Sequence, residues 1–336
     1  MMKKVAVIHG DGIGPEVNKI TVEALKKVAK DVEFIETEAG YDLYKATGES
    51  LGQGTLDIID ECDCVLIGAI SIPFHDEKFF KSPIDEIARR MDLNTTMRAV
   101  SSLVPGVGNY NGINTLFVRE YESYLNSTEV EDIDGITLTK RFSFTSCRRM
   151  LETLREYMER CGIKQVTCVH DTSFFRETDA MFLKLYNEVM SGAPFVANEE
   201  TARGMASEIA LNPKKNNTIV GRNPQCDMLT EEAACFTGGT QLVPSCVMNA
   251  KRALFIPIHG SELKFVGTNS MNPTASLLDG SWMLRFMGYD KEATVIHEAV
   301  RSAYKRGLRT GDVGGSIGTK EFGDAIMKII DETPID

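Results

Sequence analysis

Short apolar runs alternate along the chain with longer segments in which apolar residues recur every three or four positions. The runs at 4–9, 32–38, 64–70, 115–119, 165–170, 218–221 and 253–258 predict strands, most of them separated by amphipathic helical patterns. Alternation of this kind predicts an α/β chain with a mostly parallel sheet covered by helices. The first unit is a strand at 4–9, the turn Gly10-Asp11-Gly12-Ile13-Gly14, and a helix opened by Pro15 that runs to about residue 29. In the stretch 253–273 a strand stops at His259-Gly260-Ser261, a loop follows, and Asn272-Pro273 precedes the helical pattern TASLLDGSWMLRFMG. Asn272 suits the N-cap because its side-chain oxygen can accept an orphan amide hydrogen, and Pro273 suits the first helical position because it has no amide to lose. The loop before that helix is a candidate holder of an anion.

Composition narrows the class. The chain has 336 residues, 43% hydrophobic and 25% charged, enough for one large or two medium domains with real cores. Acidic residues exceed basic ones by 48 to 37, and a net charge of -11 argues against nucleic-acid binding. The expected partner is a small molecule. Eight cysteines show no zinc-ribbon spacing, several lie in apolar runs, and reduced buried thiols in a reducing cytoplasm are the expectation. The apolar run at the start is broken by His9 and Asp11 before a signal-peptide core forms, and no run approaches membrane-spanning length.

The glycines of G-D-G-I-G do not have the G-x-G-x-x-G spacing of a dinucleotide fingerprint, so a Rossmann fold is not expected. Other stretches are more informative as a set. HGDGIGPEV at 9–17, GESLGQGTLDII at 48–59, VLIGAI at 65–70, SPIDEIARRMDLNTTMR at 82–98, VRE at 118–120, CDMLTEEAA at 226–234, HGS at 259–261, MNPTA at 271–275 and EFGDAI at 321–326 follow one another along nearly the whole chain. In that order they resemble the isocitrate and isopropylmalate dehydrogenase family. The resemblance implies a two-domain isopropylmalate-dehydrogenase-like α/β fold. One domain would join 1–98 with 250–336 and bind the cofactor; the other, 99–249, would bind substrate and carry an arm near 125–145 that clasps a second protomer. It also implies a homodimer with a shared active site and NAD(P)-dependent oxidation of a 2-hydroxy di- or tricarboxylic acid, usually with loss of carbon dioxide. Such chemistry needs a cationic cradle, a divalent cation, a base and a proton donor.

By resemblance, Arg98 and Arg119 form the cradle, their planar guanidinium groups suiting bidentate carboxylate binding. Ser82 either binds a carboxylate or caps the helix it opens. A further arginine expected after Arg98 is missing from SSLVPGVGNYNG. Asp227 and Glu231, four apart on a predicted helix, project from one face and match the two metal aspartates, suiting magnesium or manganese. Without the resemblance the same pair reads as an acidic solvated helix face.

Three positions depart from the family. Asp171 stands where relatives carry lysine, and Arg203 aligns with a metal-binding aspartate, so the two have exchanged charge sign and are expected to pair. Asp171 is a candidate base, weakened by a neighbouring arginine. After VRE, Asn126 occupies the position of the family's proton-donating tyrosine; Tyr124 supplies a hydroxyl only if the loop shifts by two residues.

In the cofactor loop, His259, Gly260 and Ser261 match the segment that packs on adenosine, and Asn272 matches the adenine contact. Lys264-Phe265 follows the NADP pattern, since an ammonium offsets a 2'-phosphate, with NAD as the alternative. His75, His170 and His297 form no ligand cluster; His297 is expected on a solvated helix face, His170 as a neighbour of Asp171, and Thr310-Gly311-Asp312 as structural. The sequence does not choose among isocitrate, isopropylmalate, homoisocitrate, malate and tartrate. Pro83 and Ile84 lean toward an apolar or longer substrate tail.

Overall fold

A computed structural model describes residues 2–73, 80–121, 127–215 and 217–333. His75, Tyr124 and Asn126 lie outside the described residues.

The first strand, β1 (Lys3–Ile8), pairs in parallel with β2 (Val32–Thr37) and β3 (Cys64–Ile67). Beyond β3 the sheet continues through β12 (Ala253–Phe255), β11 (Ser245–Met248), β4 (Thr95–Ser101), β5 (Asn114–Glu120), β10 (Thr218–Val220), β8 (Gln165–His170) and β9 (Val196–Thr201). Among the described residues, ten strands therefore form one sheet, in the order β2-β1-β3-β12-β11-β4-β5-β10-β8-β9. Its antiparallel pairings lie at the centre, in β12–β11, β11–β4 and β4–β5. The expectation of a mostly parallel sheet is met. The central pairings, with β11 and β4 unforeseen as strands, turn one half of the sheet against the other.

Side-chain alternation sorts the strands onto two faces. Val5 and Val7 of β1 enter a core cluster that spans the whole sheet, as do Met97 of β4 and Val118 of β5. Ala6 and Ile8 point to the opposite face, where the apolar residues divide into two clusters, one around Ile67 and Val247 and one around Phe117 and Ile219. Thr96, Arg98 and Arg119 alternate with Met97 and Val118, so they stand on this second face, between its two apolar clusters. The polar break is where the candidate site sits.

Helices cover both faces. Those that bear on function are α4 (Pro83–Arg90), α5 (Phe144–Cys161), α8 (Gln225–Thr237), α9 (Thr274–Phe286) and α10 (Asp290–Lys305). The predicted first helix is α1 (Gly14–Val28), with proline in its first turn as expected. At α9 the sequence expectation is off by one: Pro273 occupies the cap position and Thr274 begins the helix, while the Asn272 side chain still accepts the Thr274 amide at 3.0 Å. The apolar runs at 64–70 and 253–258 give shorter strands than their length predicts, because each chain leaves the sheet to enter a loop at the site.

A separate two-stranded ribbon, β6 (Ser127–Glu131) and β7 (Ile136–Lys140), carries Val130, Ile136 and Leu138 at over 60% exposure. A lone ribbon with exposed apolar side chains is marginal by itself.

Of the eight cysteines, Cys161 and Cys235 are exposed and six are buried. Burial pushes the Cys62 thiol up to about 11 and the Cys168 and Cys246 thiols well above their ordinary value. A thiol-specific chromogenic reagent is expected to label two cysteines in the native protein and all eight only after denaturation.

Candidate active site

Two loops, at the ends of β1 and β12, meet beside one another. The turn after β1 leans on the loop after β12: the Ile13 amide donates to the Ser261 carbonyl at 3.0 Å. Gly12 has φ +58°, and a Cβ there would stand 2.2 Å from that same carbonyl oxygen. Only glycine satisfies both conditions. Gly12→Ala is expected to cost more than about 1 kcal/mol, read as a lowered melting temperature, because both the backbone angle and the contact oppose a methyl group. Asp11, one residue earlier, is buried and accepts the amides of Tyr41, Asp42 and Ser71, which locks three loops together. Ser261 is likewise committed, receiving the Ser71 hydroxyl at 2.7 Å.

Beside these loops lies a cavity of about 650 Å³ lined by His259, Glu262, Phe265, Asn269, Asn272 and Asp312, among others. Asn272 is buried and fully engaged, donating to Tyr304 Oη at 3.1 Å and to Asp312 Oδ2 at 3.0 Å. Asp312 thus has the structural role expected of its motif. Burial holds the His259 imidazole below its ordinary pKa; its Nδ1 lies 3.1 Å from the Gly260 carbonyl, and its buried Nε2 has no partner among the described residues. An orphaned ring nitrogen at a cavity of this size fits a nucleotide, with the His259 ring and the Asn272 backbone as its walls. Lys264 is exposed on the short turn Leu263–Phe265 and does not line the cavity, whereas its neighbours Glu262 and Phe265 do. The acid at 262 was not anticipated.

The cradle forms at the polar break in the sheet. Arg98 Nη1 lies 3.0 Å and Arg119 Nε 2.8 Å from the same oxygen, Asp227 Oδ1. Arg119 also donates to Thr96 Oγ1 and to the Glu120 carbonyl, which fixes its fork. Arg98 and Arg119 stand on neighbouring antiparallel strands, and Asp227 on the first turn of α8 reaches them across the second face. Three of the residues expected together are therefore together. Ser82 occupies the cap position of α4, yet its hydroxyl makes no capping bond.

Glu231 is exposed on α8 one turn beyond Asp227, and no group of three potential metal ligands occurs among the described residues. Asp227, held between two guanidinium groups, and Glu231 are the residues that would hold magnesium or manganese through hard oxygen ligands.

Asp171 and Arg203 do meet. Arg203 Nη2 lies 3.7 Å from Asp171 Oδ1 and donates to Ser173 Oγ at 3.1 Å, while the Ser173 hydroxyl donates to Asp171 Oδ1 at 2.6 Å. His170 is not bonded to the Asp171 carboxylate; its Nδ1 faces the Thr172 amide at 3.5 Å.

Sequence reasoning missed a second charged cluster on the opposite face of the same strand ends. Arg222 and Asp179, both nearly buried, pair at 2.9 Å, and the Arg222 guanidinium stacks 3.4 Å from the centre of the Phe142 ring. Cys147 Sγ donates to Glu120 Oε2 at 2.9 Å. Burial lowers the pKa of Lys140 at the end of β7, opposed by Glu120 and Asp227 and assisted by Arg222 and Arg119. The VRE motif already contains Glu120, but nothing local distinguishes Lys140 from an ordinary ribbon lysine.

The family model for isocitrate/isopropylmalate dehydrogenase matches residues 4–326. The chain belongs to this family. It is 33% identical to the 3-isopropylmalate dehydrogenase of Methanothermobacter thermautotrophicus over 98% of this chain and 99% of that one. It is 28% identical to a mitochondrial regulatory subunit of the NAD isocitrate dehydrogenase of Dictyostelium discoideum, over 99% of this chain and 93% of that one. The crystal structure of isocitrate dehydrogenase from Methylococcus capsulatus superposes with a TM-score of 0.91 at 24% identity, covering 98% and 99% of the two chains. The fold is therefore that of the isocitrate and isopropylmalate dehydrogenases, as the sequence motifs imply.

Proposed function

We propose that the chain oxidises the hydroxyl of a 2-hydroxy di- or tricarboxylic acid, with NAD(P) as hydride acceptor, in a site whose metal and proton-transfer positions are rearranged. The observation that carries this reading is the convergence of Arg98 and Arg119 on one carboxylate oxygen, at 3.0 and 2.8 Å. Asp227 occupies the cradle as a substrate carboxylate would. A bound acid competes for the same two forks and frees Asp227 to turn toward the substrate. Ser82, with no capping bond from its hydroxyl at the start of α4, adds a contact to a second carboxylate.

His259, Gly260, Ser261 and Asn272 would hold the nucleotide, which would supply a nicotinamide ring as hydride acceptor. NADP is proposed over NAD on the Lys264-Phe265 pattern alone, with NAD the alternative because Lys264 lies outside the cavity and Glu262 lines it. Tyr124 is the candidate proton donor and Asp171 the candidate base. The residues 1–98 with 250–336 hold the nucleotide, and 99–249 the acid. The exposed apolar residues of the β6–β7 ribbon support a homodimer in which each ribbon clasps the other protomer, with Asp171 serving the opposite site. Among the described residues no helix is long and apolar enough to cross a membrane, and a cytoplasmic setting is proposed on the buried free thiols.

The closed Asp171–Ser173–Arg203 group favours a second reading, a binding or regulatory member of the family that keeps the nucleotide and the acid without turnover. Reduced-nicotinamide formation decides between them, tested with NADP and NAD against isocitrate, isopropylmalate, homoisocitrate, malate and tartrate, with and without manganese. Turnover with one acid, lowered about 100-fold in kcat by Asp171→Asn with KM unchanged, is the expected result. Silence with every acid, while a nucleotide still raises the melting temperature, establishes the binding member instead.

A further inference from the structure

A second cavity, of about 490 Å³, opens at the ends of β4 and β5 remote from the cradle. Asn114 begins β5 at this cavity and Arg119 stands near its other end at the cradle, roughly 16 Å away at about 3.3 Å per residue, while Ala99 and Leu116 bring the lining closer to the cradle strands. The end of α5 supplies Tyr157 and Lys164 lies just beyond it; α9 supplies Trp282 and Arg285; α10 supplies His297. No expected function used any of these residues; His297, its side chain 40% exposed as expected of a solvated position, also lines the cavity.

The lining has two complementary parts. Tyr157 and Trp282 present their rings at 60° with centroids 6.4 Å apart, an aromatic wall against which a flat ring can stack or set its edge. Lys164 and Arg285 add two cations, and among the described residues no aspartate or glutamate lines the cavity. In a chain of net charge -11, a cavity with cations and no acids selects anions. Arg285 is 3.6 Å from Asp290 and donates to Thr294 Oγ1 at 3.4 Å; with the arginine and aspartate side chains more than half exposed, a ligand carboxylate or phosphate can compete for the guanidinium. Burial holds His297 below its ordinary pKa, so its imidazole offers a hydrogen bond and not a third charge. The volume lies in the range of small-molecule sites.

We propose that this cavity binds a planar aromatic anion, a flat ring bearing a carboxylate or phosphate, with the ring on Trp282 and Tyr157 and the charge on Arg285 and Lys164. Such a ligand touches β4 and β5, neighbours at the middle of the sheet. It also bears on β4, which carries Arg98, and on α9, which begins just after Asn272.

Trp282 is the chain's only tryptophan, so its emission reports this cavity alone. The full-length protein is titrated with 2-naphthoate and with uncharged 2-naphthamide, by calorimetry and by Trp282 emission. The expected result is that the acid binds and lowers the emission, and that the amide binds at least ten-fold more weakly. The double variant Lys164→Gln/Arg285→Gln, with both changes on exposed side chains, should keep its melting temperature and lose the acid's affinity at least ten-fold. Equal binding of acid and amide overturns the proposal. So does failure of the acid to bind folded protein at millimolar concentration, or unchanged affinity in the double variant.

Discussion

Asp227→Ala is expected to lower the melting temperature by several degrees and, at the same time, to make the protein's stability respond steeply to added carboxylates. Arg98 and Arg119 have side chains only 16% and 6% exposed, and Asp227 is a counter-charge to both. Removing one member of a buried charged group leaves the remainder desolvated and uncompensated, which costs about 3 kcal/mol or more when burial is complete. With Asp227 itself 21% exposed, water and salt recover part of that, and about 2 kcal/mol is expected. The vacancy is then a carboxylate site between two positioned guanidinium forks. Citrate or tricarballylate at millimolar concentration should recover most of the lost stability in Asp227→Ala and give a smaller shift in the unaltered protein, where the aspartate competes. Thermal melts across a citrate series measure both effects. If citrate stabilises the two proteins equally, the arginines do not constitute a carboxylate cradle.

Asp279→Asn is expected to remove a contribution to stability that is present at low pH and lost as pH rises. Asp279 lies on α9 with no exposed surface, accepts the Ser245 amide through Oδ1 at 2.7 Å, and has no partner for Oδ2 among the described residues. Burial pushes its pKa well above the carboxylate range, with the Ser245 amide opposing. The folded protein therefore keeps a proton that the unfolded chain releases at ordinary acidity. The stability from this group is full at low pH, below the unfolded pKa, and is lost as pH rises toward the folded one. Each pH unit over which only the fold retains the proton costs about 1.4 kcal/mol. Asparagine keeps the acceptor for Ser245 and has no proton to lose. Denaturant melts of both proteins between pH 5 and pH 8 should show the variant gaining on the parent as pH rises. A constant difference across that range would mean that Asp279 is ionised in the fold.

Neither effect is visible in the sequence. Asp279 belongs to LLDGSWMLRF, where an isolated acid on an apolar helix resembles an ordinary surface position until α9 is packed against the start of β11. The pairing of Arg98 and Arg119 with Asp227 was approachable by resemblance, but its closed form was not. The contact spans 108 positions between Arg119 and Asp227; it exists because α8 packs over β5, and Arg98 joins it because β4 and β5 are antiparallel neighbours.

What the chain determined locally is considerable. Apolar runs of strand length and helical periodicity between them are enough for a parallel α/β sheet, since each strand buries both faces and each helix one. The turn at Gly12 is legible because a left-handed backbone angle leaves glycine as the unstrained choice. Motif order carried the family. Asp171 and Arg203 were expected to pair, and they stand 3.7 Å apart with the Ser173 hydroxyl between them.

The tertiary structure decided what depends on long-range neighbours. It placed β11 and β4 in antiparallel array at the sheet's centre, where pairing follows from which strands meet and not from their composition. It buried Arg222 against Asp179 and brought Lys140 toward the strand ends that bear Arg119 and Glu120. It gathered Lys164 and Arg285, two unremarked surface residues, with His297 around one cavity beside an aromatic wall. Local sequence sets periodicity and turn chemistry through neighbours a few residues apart. Burial, pKa and the sharing of a charge depend on residues a hundred positions away, and only the packed chain brings those together.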